Sequence, residues 1–219
     1  MIYHNDEQGS EAWLESRRGL VTGSKFKYAR DKLKSGKPSG KCILYAQDVA
    51  RERCGGKAAG IYVNGAMKFG TEQEPFACRA YETTTGHFVT SVGFASSECG
   101  MFGLSPDGLV GDDGVIEIKT LVGSDNLFTA AVEEDFGEYI DQCLGYLLFL
   151  DRQWVDLVLW APDLESTGLG LSIHRIHRDE TAIAALKADL NEFAALVRQY
   201  ESALRRKAAA NVDRLLQAA

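Results

Sequence analysis

Residues 115–119 read Val-Ile-Glu-Ile-Lys, an apolar strand-like run holding two ionisable groups, and Asp107 stands a few residues upstream in Ser-Pro-Asp-Gly. A strand buried on both faces normally excludes charge, so Glu117 and Lys119 need partners. The Asp112-Asp113-Gly114 sequence between them suits a three-residue hairpin loop, a type I turn followed by Gly114 in the left-handed conformation. In that register Gly111 faces Val115, Leu109 faces Glu117 and Asp107 faces Lys119. Side chains alternate along a strand, so Asp107, Glu117 and Lys119 share one side and Ile116 and Ile118 the other.

Two carboxylates converging from adjacent strands repel each other unless a cation neutralises them. Mg²⁺ suits such a pair, since it takes oxygen ligands, needs few protein donors and keeps several waters. An ammonium at Lys119 could orient or deprotonate a water and offset charge in a transition state, which together is chemistry for phosphodiester hydrolysis. Glu-x-Lys alone reads as a surface ion pair, since such tripeptides are common. The upstream Pro-Asp, the apolar frame and the turn carry the metal-site reading.

The wider chain reads as α+β. Ser10 can cap a helix through Trp13 and Leu14 that stops at Gly19, and Thr22 or Ser24 can cap a second with Phe26, Ala29, Arg30 and Leu33 on one face. Residues 35–40, Ser-Gly-Lys-Pro-Ser-Gly, form a loop by composition, and a third helix over about 41–54 carries Ile43, Leu44, Ala46 and Ala50. Asn64 can cap a fourth toward Tyr81, which Pro75 should kink or restart and in which Glu74, preceding the proline, is biased away from helical angles. Short strands follow at 87–94, 101–104, 107–110 and 115–120, then helices near 124–134 and 138–150, strands at 154–160 and 169–175, and a long helix from about 180. That last helix places Leu186, Leu190, Phe193, Val197, Tyr200 and Leu204 at steps of four and three, as in a coiled-coil seam or one amphipathic face. No internal repeat or long linker divides the 219 residues, which are read as one domain with helices around a central mixed sheet.

Composition narrows the chemistry. The five cysteines, Cys42, Cys54, Cys78, Cys99 and Cys143, form no Cys-x-x-Cys pair, and the four histidines form no His-Glu-x-x-His, so zinc and iron–sulfur sites are not indicated. No apolar run approaches a membrane span and the N-terminus lacks a signal-peptide pattern, so the expectation is a cytoplasmic protein. Net charge is −7, yet residues 17–41 hold Arg17, Arg18, Lys25, Lys27, Arg30, Lys32, Lys34, Lys37 and Lys41 against the single acid Asp31. That is either one local anion-binding face or a solvated helix and loop.

Residues 105–119 resemble the PD-(D/E)xK nuclease signature, and the surrounding sequence is similar to the phage lambda exonuclease-like viral recombinase family. Residues 13–24 (WLESRRGLVTGS), 69–74 (FGTEQE) and 142–146 (QCLGY) match that family's further motifs in order. The resemblance implies a restriction-endonuclease-like core with Asp107 and Glu117 as Mg²⁺ ligands, Mn²⁺ being an alternative, supported by Glu74, and with Lys119 as the catalytic lysine. It implies Gln142 positioning water or substrate with Tyr146 one turn on, and Arg17, Ser24 and Lys25 at the 5′-phosphate. A fork-shaped guanidinium suits phosphate better than an ammonium, although Arg17 could also be a helix-terminal cation and Gln142 a satisfied core-edge amide. The activity implied is 5′→3′ digestion of double-stranded DNA ends to leave 3′ tails, by a homotrimeric ring working with a single-strand annealing protein in a bacterial host, from a phage or prophage source. Alternatives are another nuclease of the superfamily, either a restriction-type endonuclease or a CRISPR-associated enzyme whose cysteine cluster is missing here, and a non-catalytic DNA-end-binding protein.

Overall fold

The structure, a computed structural model, describes residues 1–6, 8–57 and 65–217. Asn64, expected to cap a helix, lies outside the described residues. The architecture is α+β, as expected, but with two sheets. A four-stranded sheet has the order β1 (Ile2–His4), β4 (Phe94–Ser96), β5 (Phe102–Leu104), β2 (Val21–Thr22). The second, five-stranded and mixed, runs β3 (Val89–Thr90), β6 (Gly108–Val110), β7 (Gly114–Thr120), β8 (Trp154–Trp160), β9 (Leu171–His177). β1 and β2, three and two residues long, are too short for any period in the sequence to reveal, and the expected strand over 87–94 divides between β3 and β4.

β7 pairs antiparallel with β6 and parallel with β8, so the chain crosses from 120 to 154 through α5 (Ser124–Leu127), a π-helical turn at Phe128–Val132 and α6 (Gly137–Phe149). The two faces of the five-stranded sheet bury separate cores. Val115, Val155, Leu157 and Leu159 join α6, α3 (Gly40–Arg53) and α7 (Glu180–Gln217) on one side. Ile116, Ile118, Val158 and Trp160 pack with Ala77 and Tyr81 of α4 (Gly65–Thr85) on the other. Leucine-sized side chains fully removed from water are each worth about 1.5–3 kcal/mol, so these cores hold β7 rigidly between two layers.

The hairpin differs from expectation in its loop. Gly111, Asp112 and Asp113 form it, and Val110 faces Gly114, Leu109 faces Val115 and Gly108 faces Ile116. Gly111, at φ +54°, takes the left-handed conformation instead of Gly114. A Cβ on Gly114 would stand 2.2 Å from the Trp154 ring, so that glycine is held inside the strand by the indole of β8. The register is displaced by two residues, an even number, and the faces of Glu117 and Lys119 are unchanged.

Helix α1 (Glu11–Arg17) starts where Ser10 Oγ accepts from the Trp13 N–H at 3.2 Å. The next helix, α2 (Phe26–Ala29), follows a 3₁₀ turn at Gly23–Lys25 and is shorter than expected, leaving Leu33 exposed. Thr22 makes no side-chain cap bond there. In α3 the buried face is Cys42, Ala46, Val49 and Ala50, with Leu44 in solvent. α4 runs through Pro75 without interruption, so Glu74 is helical after all; the proline removes one N–H and the flanking turns carry the helix. α7 buries Leu186, Leu190, Phe193 and Val197 against the domain and exposes Leu204, an amphipathic face and not a coiled-coil seam within the chain.

Candidate active site

Three segments converge on one side of β7. The strand supplies Glu117 and Lys119, the segment entering β6 supplies Ser105 and Asp107, and α6 supplies Gln142 and Tyr146, which lie four residues apart and so share a face. Glu117 is 3% exposed and saturated with donors. Lys119 Nζ lies 2.6 Å from its Oε1, Gln142 Nε2 donates to the same oxygen at 2.8 Å, and the Tyr146 hydroxyl donates to Oε2 at 2.5 Å. Gln142 also donates to the Tyr146 oxygen at 2.8 Å and accepts from Lys119 through Oε1 at 3.3 Å. The amide therefore ties Glu117, Lys119 and Tyr146 into one network, which a core-edge glutamine satisfied by backbone would not do.

Asp107 sits just before β6 begins, and its Oδ2 accepts the Ile118 N–H at 2.6 Å, occupying a ladder position that β6 does not reach. Burial first, then the Glu117 charge, pushes the Asp107 carboxyl well above its usual range. The same two causes, in the same order, raise Glu74, which reaches toward the site from α4. Desolvation would lower Lys119, but Glu117 and Asp107 outweigh it and hold the ammonium above its ordinary value. Tyr146 is raised by burial and then by Glu117, so the phenol stays a donor. The acidic groups thus crowd one another with a single ammonium among them.

Arg17, at the end of α1, donates through Nη1 to Ser105 Oγ at 2.7 Å. Its guanidinium lies 4.1 Å from the Trp13 ring centroid and 5.3 Å from that of Phe94, and among the described residues it has no carboxylate partner. Burial lowers its pKa. A half-buried, stacked guanidinium with unfilled donors is suited to an anion. Ser105 also offers its carbonyl to the Tyr146 hydroxyl at 3.0 Å and so joins the two halves of the site. Sequence reasoning passed over Ser105, although it precedes Asp107 by only two residues. Tyr139, one turn before Gln142, was also passed over; Lys119 Nζ stands 5.5 Å from its ring.

Ser24 is exposed in the 3₁₀ turn, and Lys25 is exposed over the Tyr28 and Tyr45 rings at 5.7 and 5.6 Å. The basic segment is not one open anion face. Arg30 pairs with Asp141 and Asp189, Lys32 with Asp189 and Glu192, Lys27 with Glu138 and Arg18 with Glu15. Those of Lys27, Arg30 and Lys32 bind α2 and its following loop to α6 and α7, so fewer charges remain for a ligand.

Among the described residues no three acidic, cysteine or histidine side chains converge closely enough to enclose a metal ion. Asp107 and Glu117 remain as a two-carboxylate, all-oxygen donor pair, which fits a cation that uses few protein ligands.

The family model of the YqaJ-like viral recombinase domain matches residues 12–153, a span that contains every side chain of this site. The chain belongs to that family. The alkaline exonuclease LHK-Exo of Laribacter hongkongensis is 33% identical and superposes with a TM-score of 0.79 over 92% of this chain and 99% of that one. Its structure in complex with dAMP gives 0.80 at the same identity and coverage. A phage-related exonuclease from Haemophilus somnus, 18% identical over 86% of this chain and 96% of that one, has a TM-score of 0.66 and shares the fold. No curated protein matches. This member of the family is a recombination-associated nuclease. Among the described residues no helix is long and apolar enough to cross a membrane.

Proposed function

We propose that this nuclease is a Mg²⁺-dependent 5′→3′ exonuclease of double-stranded DNA ends that leaves 3′ single-stranded tails for recombination. The observation that carries the reading is the bonding of Glu117 to Lys119, Gln142 and Tyr146 beside Asp107, with the Arg17 guanidinium joined to that network through Ser105. LHK-Exo, an exonuclease by name and 33% identical, supports it.

Asp107 and Glu117 would hold the ion, with Glu74 adding charge from α4 and Mn²⁺ as a substitute. Such an ion supplies charge neutralisation and Lewis-acid activation. Lys119, kept protonated by its two carboxylate neighbours, acts as a donor and cation: it orients the attacking water and offsets charge developing on the phosphate. Gln142 holds Lys119 and Glu117 in fixed relation, and Tyr146 fixes the far oxygen of Glu117. Arg17 grips the terminal 5′-phosphate, with Ser24 and Lys25 alongside, and so sets which bond is presented.

The whole chain acts as one nuclease domain. A homotrimeric ring around the duplex, handing its 3′ tail to a single-strand annealing protein in a bacterial cytoplasm, accords with a net charge of −7 and a basic segment in which Arg18, Lys27, Arg30 and Lys32 are already paired with acids. Few phosphate contacts make free binding weak at physiological salt, and enclosure replaces affinity. The deciding experiment is digestion with Mg²⁺ of linear and nicked-circular duplexes bearing 5′-phosphate or 5′-hydroxyl ends, read alongside native mass. Digestion of linear ends only, faster where they are phosphorylated, is expected. Equal cutting of circular DNA would make the enzyme an endonuclease, and a monomeric mass would remove the ring.

A further inference from the structure

Arg17 is aimed by a turn that another residue clamps. Two residues after it, Gly19 is buried at φ +72°, a conformation that an L side chain resists, and a Cβ there would stand 2.8 Å from Arg53 Cγ. Both polar atoms of Gly19 are taken by the end of α3. Its N–H donates to Glu52 Oε2 at 2.9 Å, and its carbonyl accepts from Arg53 Nη1 at 3.1 Å.

The same Nη1 donates to the Gly100 carbonyl at 2.8 Å. Gly100 opens the segment that becomes β5 and then reaches Ser105, the partner of Arg17. One nitrogen thus joins the two chain segments that bring Arg17 and Ser105 together, a link reinforced where the Val21 N–H donates to the Met101 carbonyl at 2.8 Å. Arg53 is itself fixed from α7: its Nε donates to Glu201 Oε2 at 2.8 Å, and Arg205, paired with Glu201, donates to the Arg53 carbonyl at 3.1 Å.

We infer that Arg53 is a positioning residue for the end-phosphate clamp: it touches no substrate and sets the register of Arg17 against Ser105. The inference rests on the reading of Arg17 given above. A clamp displaced by a fraction of an ångström still binds DNA but no longer meets a phosphate bidentately, so the loss falls on terminal-phosphate recognition and not on hydrolysis. Glu117, Lys119 and Gln142 lie on β7 and α6, outside the segments that Arg53 joins.

The test compares Arg53→Lys and Arg53→Gln with the wild type on linear duplexes carrying 5′-phosphate or 5′-hydroxyl ends, at saturating Mg²⁺. Lysine keeps the charge facing Glu201 but has no planar fork to serve Glu201 and the two carbonyls at once. Either variant should lower the phosphate-to-hydroxyl rate ratio about tenfold through kcat/KM on phosphorylated ends, with hydroxyl-end rates within about twofold of wild type. An unchanged ratio in a folded variant, or an equal fall on both ends, overturns the inference and leaves the reading of Arg17 intact. Unfolding of both variants, read by melting, assigns Arg53 to stability alone and also overturns it. A wild type indifferent to the terminal phosphate overturns the Arg17 reading itself, and this inference with it.

Discussion

Replacing Lys119 with methionine keeps most of the aliphatic stem and removes the one ammonium among three carboxylates. Its Nζ lies 2.6 Å from Glu117 Oε1, with the glutamate side chain 4% and the lysine side chain 25% exposed. Removing one partner of a buried ion pair costs about 3–5 kcal/mol. Here water still reaches the lysine, and Gln142 and Tyr146 continue to donate to Glu117, so the expected loss in chelator is about 2–3 kcal/mol. At roughly 2–4 °C per kcal/mol for a chain of this size, the melting temperature should fall by about 5–10 °C. Added Mg²⁺ should raise the variant's melting temperature at least as much as the wild type's, because the uncompensated carboxylates bind the ion. Turnover should fall by about 10²–10⁴-fold. The assays are thermal melts in chelator and in Mg²⁺, and digestion of a linear duplex. A variant that melts with the wild type in chelator, or digests near its rate, refutes the reasoning.

Asp107→Asn should lose Mg²⁺ affinity by calorimetry while keeping its acceptor for the Ile118 N–H, and unchanged binding would remove Asp107 from the ligand pair. Because the folded state raises the Asp107 pKa, the metal-free wild type should gain stability from this group as pH falls through that raised value toward the unfolded one. The Asp107→Asn variant should show a flatter melt-against-pH slope in chelator, and an identical slope would contradict the crowding described. Arg17→Ala should cut digestion of 5′-phosphorylated ends by tens- to about a hundredfold, the worth of about 1.5–3 kcal/mol for a charged hydrogen bond, and equal loss on hydroxyl ends would refute the clamp. Asp156 is 1% exposed and held by Arg175 through two bonds of 2.8 Å and by the Tyr81 hydroxyl at 2.7 Å. Its replacement, Asp156→Ala, should cost about 3–5 kcal/mol, and a melt within roughly 2 °C of wild type would count against it.

The meeting of Asp107, Glu117 and Lys119 on one side of β7 was legible because its determinants are local. Charges in an apolar strand and Pro-Asp-Gly ahead of a tight turn are short-range facts, and period-two alternation preserves faces even when the pairing register is two residues off. Strand β8 and the start of α7 were readable for the same reason, being long and strongly patterned. Family resemblance supplied Arg17, Ser24, Glu74, Gln142 and Tyr146, of which Arg17 alone would also suit a helix end and Gln142 a satisfied core-edge amide.

What only the tertiary structure decided depends on residues far apart in the chain. The Trp154 indole, from a strand beyond the crossover helices, holds Gly114 in β7 and so moves the loop to Gly111. Acids at 138, 141, 189 and 192 claim Lys27, Arg30 and Lys32, which turns the middle of an apparent anion-binding run into a structural seam. Ser105 meets Arg17 across 88 residues because β5 pairs with β2, a strand of two residues with no periodic signal. Local sequence specifies which groups a segment carries and which way they face. Which charges are spent on the fold, and which stay free for a substrate, is set by contacts that form only when distant segments pack and exclude water.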